Sequence, residues 1–161
     1  MHATTRMGLF GIALAVALAG VVVPAMAQAQ QTDTMQLVRD KIRADKKLLI
    51  AENLPLTAAE AKAFWPVYDS YQKELSVLND RMIKLIKDYA NNQQTMSNQT
   101  AKRLIDEYLA IEAARLKIRQ AYVPRFRKGL GEKLVARYYQ IENKVQAAVN
   151  YELAAEIPLV K

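Results

Sequence analysis

From Ala61 to Tyr89 the side chains Ala61, Phe64, Tyr68, Tyr71, Leu75, Leu78, Met82, Leu85 and Tyr89 recur in alternating steps of three and four. That spacing holds them on one edge of an α-helix for about four heptads, a period that no β-strand can use. A second seam follows a short polar gap: Ala101, Leu104, Tyr108, Ile111, Arg115, Ile118 and Tyr122, with Arg115 as its one charged member. Two such seams joined by a short connection should face each other, so the chain is expected to form an elongated antiparallel helical hairpin.

Boundary signals place two further helices around the hairpin, giving an all-α fold. One should run from near Asp33 to Glu52 with Met35, Val38, Ile42 and Leu49 on one side, and end at Leu54-Pro55. The first long helix opens with Thr57 as N-cap and Glu60 three residues on, the grammar of a capping box. Asn91 to Thr95 reads as a polar connection, and Met96-Ser97 repeats the arrangement of an apolar residue followed by a hydroxyl cap. Gly129-Leu130-Gly131 supplies a C-terminal cap and a permissive N-cap for the last helix, whose apolar positions are Leu134, Tyr138, Ile141, Val145 and Ala148, with Pro158 marking the tail. Pro66 and Pro124 lie at similar distances from the connection, so their kinks are expected at one level and should bow the hairpin.

The N-terminus has the order of an export signal. Arg6 is followed by an unbroken apolar run, Met7 to Val23, then Pro24 and the small-residue pattern Ala25-Met26-Ala27. Cleavage is expected before Gln28, leaving residues 28–161 as a single all-helical domain; an uncleaved membrane anchor is the alternative. Export argues against nucleic acid as a partner, and the expected location is the periplasm.

With a leader removed, His2, the one histidine, goes too, and the chain has no cysteine. Thiolate nucleophiles, Ser-His-Asp triads and zinc, copper or haem held by His or Cys are then unavailable. No enzyme activity and no cofactor or metal site is expected. Asp106-Glu107 is the only adjacent acid pair, and helical neighbours diverge by about 100°. Met35, Met82 and Met96 form no clustered motif for a soft metal, and Trp65 before Pro66 is expected to anchor packing.

Charge is concentrated. The chain carries a formal net charge of +7, yet residues 28–114 are balanced; Arg115, Lys117, Arg119, Arg125, Arg127, Lys128, Lys133 and Arg137 stand against Glu132 alone. Tyr122, Phe126, Tyr138 and Tyr139 are interleaved among them. The segment has two readings, a solubilising or internally paired face and a surface for acidic partners. On the second reading the contact residues are Arg115, Lys117, Arg119, Tyr122, Arg125, Phe126, Arg127, Lys128, Lys133 and Arg137. Elsewhere Asp69 with Lys73, Asp80 with Lys84, Lys84 with Asp88 and Arg103 with Glu107 are spaced as pairs along solvated helix faces.

Leu56-Thr57-Ala58-Ala59-Glu60, opening a helix in a small, basic, exported chain, resembles the LTxxQ motif of the Spy/CpxP family. Leu130-Gly131-Glu132-Lys133-Leu134 is similar, and Tyr138-Tyr139 follow it as Phe64-Trp65 follow the first. Glu60 and Leu134 stand where the family has Gln, and Gly131 where it has Thr. The resemblance implies a curved helical homodimer in the periplasm that binds unfolded client proteins without ATP, or else a regulatory partner of an envelope stress sensor protein or sigma-factor system. Peripheral contact with an anionic envelope surface is a further expectation of the basic segment.

Overall fold

The computed structural model describes residues 44–160, which belong to a compact unit of their own. The expected leader, its cleavage site and the positions Met35, Val38 and Ile42 lie outside the described residues. Four helices make up the described chain: α1 (44–53), α2 (Ala58–Asn92), α3 (Asn98–Arg127) and α4 (Glu132–Glu156). None is long and apolar enough to cross a membrane.

Local chemistry sets the boundaries. At the start of α2 the Glu60 amide donates to Thr57 Oγ1 at 3.3 Å and the Thr57 amide donates to Glu60 Oε2 at 2.8 Å, so the capping box closes in both directions. Helix α2 runs to Asn92, further than the polar composition of 91–95 suggests, and a single 3-10 turn, Gln93–Thr95, completes the connection. Asn92 sustains this end by donating from Nδ2 to the Asp88 carbonyl at 2.7 Å. Ser97 then caps α3, its Oγ accepting from the Thr100 amide at 3.1 Å. Pro66 and Pro124 both lie inside their helices.

Helices α2 and α3 form the antiparallel hairpin. Ala63 approaches Gly129, Glu74 meets Tyr122, Asn79 meets Arg115, Arg81 meets Glu107 and Asp88 meets Arg103, so numbers rise on one helix as they fall on the other. The α2 seam is buried as its spacing predicts, through Phe64, Tyr68, Tyr71, Leu75, Leu78 and Leu85. The α3 seam buries Leu104, Ile111, Arg115 and Tyr122, but Tyr108 is 43% exposed and Phe126 extends the buried row instead.

Helix α4 turns back along α3, with Tyr139 Oη donating to the Arg119 carbonyl at 3.2 Å and Gln146 meeting Arg115. Of the expected positions Tyr138 is buried, Leu134, Ile141 and Val145 are half-buried and Ala148 is exposed, while Val135 and Glu142 complete the buried face. Helix α1 buries Ile50, and Leu54 just past its end is buried as well, while Leu49 is exposed.

Two hydrophobic clusters result. The larger joins Ile50, Leu54, Phe64, Tyr68, Tyr71, Leu75, Tyr122, Phe126, Leu130, Val135 and Tyr138, drawn from all four helices and the α3–α4 turn. The smaller is aliphatic, Leu78, Leu85, Leu104 and Ile111, with Met82 and Met96 packed against it. Trp65 packs against the larger cluster, as its position before Pro66 suggests.

The α3–α4 turn corrects one expectation. Neither glycine adopts a positive φ, and the α3 C-cap is Lys128, so Gly129 is not a left-handed cap. Its value is spatial: a Cβ there would sit 2.4 Å from the Ala63 Cβ. Gly131 does serve as the α4 N-cap, in extended backbone.

Candidate functional site

The basic segment does not form one face, because an α-helix advances 100° per residue and α3 spreads its cations around the axis. Arg115, Tyr122 and Phe126 fall on the seam and are buried at 6%, 1% and 2% exposure. The Arg115 guanidinium is satisfied from inside, donating to Asn79 Oδ1 at 3.2 Å and Gln146 Oε1 at 3.3 Å, with Glu112 Oε1 at 3.6 Å from Nε. These contacts offset the like-charge spacing with Arg119, and Arg115 forms a polar layer tying all three long helices together.

The remaining members divide by what they touch. Arg137 Nε donates to the Asn53 carbonyl at 2.6 Å, satisfying the end of α1. Arg127 pairs with Glu132 at 2.8 Å, both exposed. Arg125 lies 4.4 Å from the Tyr122 ring centre, a cation–π contact at the surface. Arg119 is half-buried, and Lys117, Lys128 and Lys133 are exposed. Those three lysines have no carboxylate partner among the described residues.

Sequence reasoning missed an apolar surface on the same helix. Ile105, Leu109 and Leu116 are 51%, 56% and 55% exposed. Their spacing places them within about 40° of one another around α3, well to one side of the seam. The signal was present as a second set of helical-period positions, but one seam per helix was enough to explain the pattern.

Nearer the hairpin connection an open groove of about 880 Å³ is lined by Arg81, Lys84, Leu85, Asp88, Arg103 and Glu107, among others. Its charges are turned on each other. Arg81 makes a two-pronged contact with Glu107 at 3.0 Å, which holds that carboxyl below the usual range, and Arg103 reaches Asp88 at 3.3 Å. Lys47 pairs with Asp69 from α1. Asp69, Asp88 and Glu107 thus take partners on other helices, not the partners four residues away that their spacing suggests; Asp106 pairs with Lys102 along α3.

Among the described residues, buried titratable groups concentrate between α1, α2 and α4. Glu142, 6% exposed, accepts from Lys46 Nζ at 2.8 Å and from Gln72 Nε2 at 3.0 Å. Burial first, and the Glu142 carboxylate second, push the Tyr68 and Tyr138 hydroxyls far above their ordinary range. Burial also raises Tyr139, and it lifts Tyr71 to about 12, with Arg119 opposing. All four are therefore neutral phenols near pH 7, suited to packing and hydrogen bonding and unsuited to act as bases. Among the described residues no three His, Cys, Asp or Glu side chains gather as metal ligands do.

Tyr71 Oη is sealed from solvent and has no partner in good hydrogen-bond geometry, the Arg119 guanidinium being the donor that stands nearby. An unpaired buried hydroxyl costs stability, so Tyr71→Phe is expected to stabilise the fold by about 1 kcal/mol, seen as a higher urea midpoint at unchanged slope. A loss of stability would show that the hydroxyl has a partner in solution.

No protein-family model, curated protein or solved structure matches the chain.

Proposed function

We propose that this chain is an exported, ATP-independent, holdase-like chaperone of the periplasm that acts as a homodimer and captures unfolded protein segments along α3. The observation that carries the reading is the row Ile105, Leu109 and Leu116, apolar side chains left more than half exposed on a long helix. Contiguous exposed apolar side chains bordered by polar residues mark protein-binding surfaces. Lys117 and Lys128 are exposed on the same helix, about 100° and 120° around the axis from the row, and have no carboxylate partner among the described residues. Apolar contact gives sequence tolerance, and the cations favour segments that carry acidic side chains. The export signal, the resemblance to the Spy/CpxP family and the absence of a phosphate-cradling glycine loop from the sequence support the same reading.

Within the basic segment the geometry favours Lys117, Arg119, Arg125, Lys128 and Lys133 as client contacts. Arg115, Tyr122 and Phe126 act through the fold beneath them, because their side chains are buried.

Photo-crosslinking from position 109 in exporting cells tests the reading. A ladder of unrelated adducts, lost when Ile105 and Leu116 are replaced by serine, is expected. A single adduct of fixed stoichiometry would replace the chaperone reading with that of a regulatory partner of one envelope protein.

A further inference from the structure

Helix α1 is seated by a single ridge of side chains. Lys46, Ile50 and Leu54 follow one another at intervals of four; Ile50 and Leu54 are 0% and 2% exposed in the aromatic cluster. Lys46 Nζ donates to Gln72 Oε1 at 3.0 Å and to Glu142 Oε2 at 2.8 Å. The rest of its hold is polar. Lys47 pairs with Asp69 at 2.8 Å and lies 5.1 Å from the Trp65 ring centre, and Arg137 binds the Asn53 carbonyl. Leu48 and Leu49 face away, 59% and 40% exposed.

The floor beneath α1 differs from the rest of the core. The smaller α2–α3 cluster beyond it has an aliphatic centre, and exposing it would leave mostly apolar surface in water. The α1 seat is built from Tyr68, Tyr138, Gln72 and Glu142 beside Phe64, Trp65 and Val135, so much of it presents groups that water can satisfy. Uncovering such a floor costs less than uncovering an aliphatic one. A short connection with Pro55 joins α1 to the capped start of α2, so α1 can leave without unwinding the hairpin.

We infer that α1 is a releasable strap lying in a helix-binding groove between α2 and α4, its own resident ligand. The recognition is of the helix-in-groove kind, in which one face supplies anchors a turn apart. The groove selects a basic residue followed by aliphatic residues four and eight positions later, because Glu142 and Gln72 receive the base and the aromatic wall receives the other two. Charge fixes the register: Lys46 and Lys47 on α1 oppose Glu142 and Asp69 on the floor.

Hydrogen exchange on the full chain, read by mass spectrometry, tests the strap. Amides of residues 47–53 are expected to exchange at least about tenfold faster than those of residues 64–75, because α1 opens without the bundle. Lys46→Glu sets two carboxylates together and should speed α1 exchange a further tenfold or about that, leaving α2 and α3 unchanged; adding Glu142→Lys should reverse the effect. Trp65 is the single tryptophan and lies under Lys47, so its emission reports occupancy of the groove. A synthetic peptide of residues 44–57 should shift that emission saturably in the Lys46→Glu protein, and the same peptide with glutamate at position 46 should not. Exchange of α1 in step with α2 in the unmodified chain, or no Trp65 response to the peptide, would overturn the inference. Should Lys46→Glu unfold the whole bundle, exchange in the unmodified chain decides the question by itself.

Discussion

Truncating Tyr138 to alanine is expected to destabilise the bundle by about 3–5 kcal/mol, the range for deleting a large aromatic from a packed interior. Tyr138 is fully buried, and its ring centre lies 4.8 Å from Phe126, 5.1 Å from Phe64, 5.3 Å from Tyr139, 6.1 Å from Tyr68 and 6.3 Å from Tyr71. It is where α2, α3 and α4 meet, so no single neighbour can move in to fill the space it leaves. Edge-to-face and tilted contacts add to the area term, about 0.5–1.5 kcal/mol for a good pair. Tyr151, 75% exposed on the same helix, is the control, and Tyr151→Ala should change stability by less than about 0.5 kcal/mol. Urea unfolding followed by circular dichroism measures both. A cost below about 1 kcal/mol for Tyr138→Ala would mean that α4 is not held by this cluster.

Gly129→Ala should lower stability by about 2–3 kcal/mol, against the usual direction of such a change. At a compatible backbone position this substitution stabilises by about 0.4–1 kcal/mol, because it restricts the unfolded chain. Gly129 has no positive φ, so nothing in its backbone forbids alanine. The obstacle is Ala63, whose Cβ would stand 2.4 Å from the new one. Neither methyl can rotate away, so the turn must lift from α2. That movement pulls on Leu130, 6% exposed, and on the bonds by which the Gly129 and Leu130 amides donate to the Phe126 carbonyl at 3.2 and 3.1 Å. Ala63→Gly by itself should cost about 1 kcal/mol as a glycine inside a helix. In the double variant that glycine makes room, so the two costs should sum to more than the measured loss. A neutral or stabilising Gly129→Ala would show that the turn sits further from α2.

What the sequence discloses and what it hides follows from how far each interaction reaches along the chain. Thr57 and Glu60 meet across three residues, as do Ser97 and Thr100, so those caps can be read from spacing. The seam from Phe64 to Leu85 is equally legible, because a long helix repeats its signal many times. On α4 the period finds Tyr138 but not Glu142, because Ile141 looks like core and Glu142 does not. The carboxylate goes inside since Lys46, distant in sequence, comes to meet it. Ile50 displaces Leu49 for the same reason, the seat of α1 being made by residues of α2 and α4.

Arg115 has two readings in the sequence, as the intruder in a seam and as the first cation of the basic segment. The seam reading describes its position: Asn79 and Gln146 give it hydrogen bonds that periodicity cannot foresee. Along the chain the basic residues from Arg115 to Arg137 form one continuous segment. Wound into a helix, the same residues point in different directions, so Tyr122 and Phe126 join the core while Lys117 and Lys128 remain outside. Gly129 shows the opposite failure. A glycine after a helix suggests a left-handed cap, and only the proximity of Ala63 reveals why a side chain is excluded.

The central claim is that the exposed row on α3 captures unfolded protein. Light scattering from a chemically denatured model client, diluted into buffer with a stoichiometric amount of purified residues 28–161, tests it most directly. The expected result is that the chain suppresses scattering without ATP, and that replacing Ile105, Leu109 and Leu116 with serine removes the suppression while circular dichroism and the urea midpoint are retained. Unchanged scattering in the presence of the unmodified chain, or full suppression by the triple variant, would contradict the account.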